Sequence, residues 1–278
     1  MLPCRFVQAP ACAARTSKKI EQFSITLGRT QMTKRFENKV VVITGGSDGI
    51  GLTTAKLFAS EGALVYITGR RQEPLDKAVA EIGHGAIGVQ GNVADRADVA
   101  RLYERIKADH GRVDVVFANA GIYEVAGIED IDEDHIDRML NVNVKGMIFT
   151  VQKALPLMTA GGAIVLSGSI VSVKGLPNQS LYNASKAAVR SFGRSWTNEL
   201  KDRGIRVNVV APAGTETPMI RNHLDERPGV EEMLTQSVPL GRLAKTEEVA
   251  RAVMFLASSE SSFVAGHELF VDGGVAAV

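Results

Sequence analysis

Val40-Val41-Val42-Ile43-Thr44-Gly45-Gly46-Ser47-Asp48-Gly49-Ile50-Gly51, continued by Leu52-Thr53-Thr54-Ala55, is a β-branched run that ends in glycines and passes into a helical period. Glycines at that point let the backbone turn tightly and approach a pyrophosphate, whose charge is met by the N–H groups opening the helix. Turns collect glycine for other reasons too. The position, after the first strand and at the start of the first helix, makes Gly45, Ser47, Asp48, Gly49, Ile50 and Gly51 candidate dinucleotide contacts.

Outward from this loop, short β-branched runs alternate with longer helical periods, the pattern of a parallel sheet covered on both faces. Strands are expected at 40–44, 64–68, 87–91, 113–118, 163–167, 205–211 and 268–271. Helices are expected near 50–61, 73–82, 96–109, 132–158, 181–203 and 247–257. With no low-complexity linker and no repeat at a solenoid period, the reading is α/β: a Rossmann-like, doubly wound, seven-stranded parallel sheet in a single domain.

Composition excludes several classes. A net charge of +1 with no Lys/Arg stripe offers no footprint for nucleic acid. No apolar run approaches the roughly 18 residues of a membrane span. Residues 1–31 hold five basic residues (Arg5, Arg15, Lys18, Lys19, Arg29) against Glu21, a net of +4, so residues 32–278 carry −3. That leader shows no sustained period, and a second methionine, Met32, stands before the first strand. Three readings compete for it: an extension from an upstream start codon, a disordered tail, or a transit peptide, which the early Arg, Ala and Ser without an acid would suit. Both cysteines, Cys4 and Cys12, lie in the leader, so the body needs no disulfide and the expected location is the reducing cytoplasm.

The end of the second strand discriminates cofactors, because an acid there holds the adenosine ribose whereas an arginine accommodates a 2′-phosphate. Here it reads Thr68-Gly69-Arg70-Arg71. Glycine leaves room and Arg70, with Arg71 beside it, can pair with the phosphate; the plainer account is a solvated basic turn. Asp48 places negative charge near the same pocket and argues the other way. NADP is favoured, with NAD the alternative.

Tyr182 and Lys186 are four apart in Tyr182-Asn183-Ala184-Ser185-Lys186, which on a helix places both on one face. Ser169 lies just past the strand 163–167, so a strand end and a helix start can converge over the sheet edge where open α/β proteins bind ligands. Reduction of a ketone makes an alkoxide that needs a proton, and a phenol of pKa ~10 is a poor acid-base group near neutrality. Lowering it by about three units takes ~4 kcal/mol, the order expected of one cation at ~4 Å in an effective dielectric of ~20. Lys186 is the candidate cation, and Ser169 the candidate partner of the substrate oxygen.

From about Lys39 to Gly274 the chain resembles the short-chain dehydrogenase/reductase family in its compact single-domain branch. The resemblance rests on the Thr-Gly-x-x-x-Gly-x-Gly loop at 44–51, on Asn119-Ala120-Gly121, and on Ser169, Tyr182 and Lys186 in that order. It implies that Asn143, rather than the nearby Asn141, completes a catalytic tetrad by holding a water that relays protons to the lysine. It implies that Asn92-Val93 meets adenine, with Asn where the family usually has Asp, and that Asn119-Ala120-Gly121 also ties central strands together. Pro212-Ala213-Gly214-Thr215-Glu216-Thr217 is similar to the segment that binds the nicotinamide carboxamide, through Pro212, Thr215 and Thr217, although Ala213 replaces the usual glycine. Residues 216–240 would form a substrate flap, whose mixed charges read as a solvated face. Val271-Asp272-Gly273-Gly274 matches the last strand and its tail. The family also implies a homo-oligomer, dimer or tetramer, built on the helices at 132–158 and 181–203.

His84, His110, His135, His223 and His267 have no metal-like spacing and are expected mostly at the surface, so no metal is expected. Trp196 is expected to pack. The expected activity is transfer of a hydride between NADP(H) and a small carbonyl or alcohol. The alternatives are a reductase of 3-oxoacyl groups on a carrier protein, which would need a basic landing patch, and, more remotely, an NADP-sensing regulator without turnover.

Overall fold

The computed structural model describes residues 34–225 and 229–278; the leader and its two cysteines lie outside the described residues. Seven parallel strands form one sheet in the order β3-β2-β1-β4-β5-β6-β7: β1 Val40–Thr44, β2 Leu64–Gly69, β3 Ile87–Gln90, β4 Val113–Ala118, β5 Met158–Ser167, β6 Arg206–Pro212 and β7 Glu268–Val271. The chain builds outward from β1 to β3, crosses back, and builds outward again from β4. The order therefore reverses between β1 and β4, and a crevice opens beyond their carboxyl ends.

The continuous apolar runs follow from burial on both faces. Val40 and Val42 enter one core with Ile164, Leu166 and Val207, while Val41 and Ile43 enter the other with Val115, Phe117 and Val165. The first core is covered by α3 Arg96–His110, α5 Gly146–Ala154 and α6 Ser180–Leu200. The second is covered by α1 Gly49–Ser60, α2 Gln72–Ile82 and α9 Thr246–Ala257. Trp196 stacks on Phe192 with ring centroids 4.6 Å apart, packing as expected. Gly193 lets α6 lie close on β6, since a Cβ there would stand 2.6 Å from Val209 Cγ2.

Two expectations need correcting. The helix expected over 132–158 is α4 Glu133–Leu140, a π-helical turn at Asn141–Lys145, α5, and a 3-10 turn at Leu155–Leu157. Pro156 lies in that last turn, and Met158 already belongs to β5. Proline cannot donate to a continuing helix, which accounts for the early stop. β5 is also longer than expected, because Met158 pairs with Val113 ahead of an irregularity, and regular pairing resumes at Val115 and Ala163.

Candidate active site

Thr44 ends β1 and the chain turns through Gly45 and Gly49, at φ of +65° and +52°. A Cβ on Gly45 would lie 2.9 Å from Ala120 Cα, and one on Gly51 would lie 2.1 Å from the Gly45 carbonyl oxygen. Backbone therefore fills the space that a side chain would need. The Asn119 amide donates to the carbonyls of Thr44 and Gly45 at 3.1 and 3.0 Å, and the backbone N–H groups of Asn119 and Ala120 donate to the Thr44 hydroxyl. Asp48 begins α1 without a side-chain cap, so the helix's opening N–H groups are not satisfied from that residue. The cradle fits a pyrophosphate.

Beyond the end of β2 a cleft of about 350 Å³ is lined by Arg70, Gln90, Gly91, Asn92, Asp98 and Arg101. Arg101 is ion-paired with Asp98 at 2.7 Å. Arg70 and Arg71 are exposed and have no carboxylate partner among the described residues. A Cβ on Gly69 would meet the Ser47 hydroxyl at 3.1 Å, so Ser47 and the end of β2 share this corner. Asn92 Oδ1 accepts from the Ala94 N–H at 3.1 Å, and Val93 is buried against Gly146. Gln90, Asp98 and Arg101 were not anticipated; Asp98 becomes visible only because its carboxylate accepts from the Asn92 N–H at 2.8 Å. A second hollow of about 390 Å³, also lined by Asn92 and reaching Asp95, Arg96 and Lys145, includes none of Ser169, Tyr182 and Lys186.

Ser169, just past β5, caps a 3-10 turn at Ile170–Ser172 and accepts from the Val171 N–H at 3.4 Å. Tyr182 and Lys186 rise from the first turns of α6. Lys186 is 5% exposed; its Nζ donates to the Ser167 carbonyl at 2.8 Å and lies 5.6 Å from the centre of the Tyr182 ring. Burial pushes the Tyr182 phenol well above its ordinary value, and the Ser169 hydroxyl, a hydrogen-bond partner of the phenolate form, opposes it. Burial also pushes the Lys186 ammonium down to about 8. For the phenol, burial, with Tyr123 adding to it, outweighs the Ser169 hydrogen bond.

Asn143 sits in the π turn and is 1% exposed. Its Oδ1 accepts from the Ile122 N–H at 2.8 Å, and its Nδ2 donates to the Ile122 carbonyl at 3.0 Å and to Ser185 Oγ at 3.2 Å. Ser185 in turn donates to the Tyr182 carbonyl at 2.7 Å. The asparagine side chain is thereby tied to the segment after β4 and, through Ser185, to α6. Tyr123, two residues past Gly121, meets the Tyr182 ring edge-on at 4.9 Å and the His223 ring at 5.1 Å. Sequence reasoning missed Ser185, Tyr123 and His223, and only the adjacency of Tyr123 to the Asn-Ala-Gly segment could have drawn notice. His135 is also not at the surface: it is 6% exposed, with Nε2 3.8 Å from Glu124.

After β6, the buried Thr215 donates its hydroxyl to the Ala213 carbonyl at 3.0 Å, while Thr217 approaches Gly49, where a Cβ would meet Thr217 Cγ2 at 3.2 Å. Of the two threonines it is Thr217 that reaches the glycine loop. The segment 216–240 carries α7 Pro218–Asp225 and α8 Val230–Gln236, with 226–228 outside the described residues. Arg221 is paired with Glu231 at 2.8 Å and with Glu216 at 3.6 Å. Among the described residues no three His, Cys, Asp or Glu converge as a metal site, and no helix is long and apolar enough to cross a membrane.

Comparison with known proteins bears on the chain as a whole. The family described as Enoyl-(Acyl carrier protein) reductase matches residues 45–276. Oxidoreductase asL5 of Sarocladium schorii is 47% identical over 247 residues, covering 88% of this chain and 98% of its own. The 3-oxoacyl-[acyl-carrier-protein] reductase FabG of Thermotoga maritima is 41% identical over 250 residues, covering 87% and 99%. A solved structure described as a short chain dehydrogenase/reductase family protein is 40% identical, with a TM-score of 0.78 over 88% of this chain and all of its own.

The buried lysine makes stability depend on pH. Its folded value of about 8 lies below the ordinary 10.5, so between those values the unfolded chain binds more protons and stability rises with pH. Urea unfolding of the parent and of Lys186→Met should show the parent gaining up to about 3 kcal/mol relative to the variant between pH 8 and 10.5, with no relative change below pH 7. Parallel pH dependences would show that the lysine is not desolvated in the native state.

Proposed function

The chain belongs to the short-chain dehydrogenase/reductase family, and from that premise we propose that it interconverts a small carbonyl compound and its alcohol using NADP(H), with Tyr182 as proton donor or acceptor. It is an NAD(P)-dependent oxidoreductase of C=O and CH–OH groups; the NADP preference and the residue roles are the proposal. The observation that carries it is the convergence of Ser169, Tyr182 and buried Lys186 at the crevice beside the glycine loop.

When bound, the reduced nicotinamide supplies the hydride to the carbonyl carbon. Gly45, Ser47, Asp48, Gly49, Ile50 and Gly51 would hold the pyrophosphate, Arg70 and Arg71 the 2′-phosphate, and Asn92 and Val93 the adenine. Asn119, Ala120 and Gly121 would floor the site, with Pro212, Thr215 and Thr217 at the nicotinamide end. Ser169 donates to the substrate oxygen and holds it beside the phenol. Tyr182, kept protonated by burial, gives its proton to the forming alkoxide. A phenol held above its ordinary value stays protonated but is a weaker acid, so burial alone sets no direction for the reaction. Lys186 holds the ribose and returns the proton, and Asn143 positions the relay by fixing Ile122 and Ser185. In the oxidative direction the Lys186 ammonium would offset the cost of the buried phenolate.

The Thermotoga relative favours a second reading, reduction of 3-oxoacyl groups on a carrier protein. Arg138, paired with Glu124 beside Tyr123, and Arg221 on α7 hold carboxylates at 3.0 and 2.8 Å. Neither of these two described cations is free to meet an acidic carrier, and a small substrate is preferred. A cytoplasmic location and a homo-oligomer built through α4, α5 and α6 accompany this reading.

Replacing Tyr182 by Phe should abolish carbonyl reduction in an NADPH-absorbance screen while leaving NADPH affinity within about twofold; turnover at the parental rate would remove Tyr182 from the chemistry. Arg70→Ala should weaken NADPH about tenfold and NADH hardly at all, the loss expected for one charge-assisted contact. Equal changes for both coenzymes would refute the phosphate assignment. Light scattering at micromolar concentration should give a dimer or tetramer, and a monomer would contradict the oligomer.

A further inference from the structure

Behind the catalytic candidates lies a carboxylate that the reaction does not use. Glu268, at the start of β7, has a side chain 8% exposed. Its Oε1 accepts from the Ser172 hydroxyl at 2.6 Å, and its Oε2 lies 2.9 Å from Arg190 Nε, as an ion pair rather than an aligned hydrogen bond. The same carboxylate borders Gly168, where an added Cβ would stand 3.6 Å from Oε1. Gly168 joins Ser167, whose carbonyl takes the Lys186 ammonium, to Ser169. Ser172 ends the 3-10 turn that Ser169 caps. Arg190 is one helical turn after Lys186 on α6, so the two share a face.

Enclosing a carboxylate at this depth costs desolvation that pairing seldom returns in full, so stability alone gives a poor account of it. What the pairing does is join, through one rigid group, the strand end carrying Ser169 to the helix carrying Tyr182 and Lys186. We infer that Glu268 is a positioning residue for proton transfer, holding the Ser169 turn and α6 in register through Ser172 and Arg190. This rests on the proton-donor reading of Tyr182.

The test uses the full chain, NADPH and the best ketone found by screening, with parent, Glu268→Gln, Ser172→Ala, Arg190→Lys, Arg190→Met and Tyr182→Phe in parallel. Glu268→Gln keeps an acceptor for Ser172 and removes the charge. It should lower kcat about 10- to 100-fold, the scale of a small misplacement of reacting groups, and raise the solvent deuterium isotope effect on kcat. NADPH affinity by fluorescence should stay within about twofold of the parent. Arg190→Lys, which keeps the charge, should retain more kcat than Arg190→Met. A parental kcat and isotope effect in Glu268→Gln overturn the assignment, as does a kcat loss matched by an equal loss of NADPH affinity. If that variant does not fold, Ser172→Ala decides, since it deletes one hydroxyl: unchanged kcat and isotope effect overturn the proposal. An inactive Tyr182→Phe beside an unaffected Glu268→Gln removes the positioning role alone, whereas an active Tyr182→Phe removes the proton-donor reading beneath it.

Discussion

Backbone atoms of Gly45, Gly51 and Ala120 crowd together at the carboxyl ends of β1 and β4 more closely than any side chain would permit. That crowding is possible because β1 and β4 are neighbours although a crossover and two further strands separate them in sequence. The chain must return across the sheet to make them so, and the reversal leaves a crevice whose floor is peptide. Asn119 holds the floor with two bonds from one amide. The corner where Gly69 meets Ser47, the approach of Thr217 to Gly49, and the segment leading to Tyr123 are arranged around that contact.

The two ionisable groups at the centre respond to burial in opposite ways. Burial disfavours charge, so it raises a phenol and lowers an ammonium. The two proton affinities therefore move apart: at neutral pH the phenol is neutral, while the lysine, at about 8, still carries most of its charge.

Much of the fold was legible because its signals are local. All seven strands were anticipated, and β1, β4 and β7 have the expected bounds, since β-branched runs buried on both faces need no partner to be recognised. The spacing of Tyr182 and Lys186 was equally local. Residues that act through distant partners were not legible. Ser185 matters because Asn143, 42 positions away, donates to it; Glu268 because Ser172, 96 positions away, does. Tyr123 and His223 meet across a hundred positions of intervening chain. Nothing in their own neighbourhoods marks these residues, and the upward shift of the Tyr182 phenol comes from an enclosure that only the folded chain supplies.

The π-helical turn at Asn141–Lys145 can be seen as a correction of phase. His135, Met139, Asn143, Met147 and Val151 are all buried and recur at intervals of four. At 3.6 residues per turn, such a series would slip by about 160° from first to last and leave one end facing water. One wide turn absorbs the equivalent of a single residue, about 100°, and brings the series back near alignment. A rod of this composition can therefore serve the crevice with its first half and the sheet with its second. Removing one residue from the wide turn would give a more regular helix whose two halves could no longer both be seated.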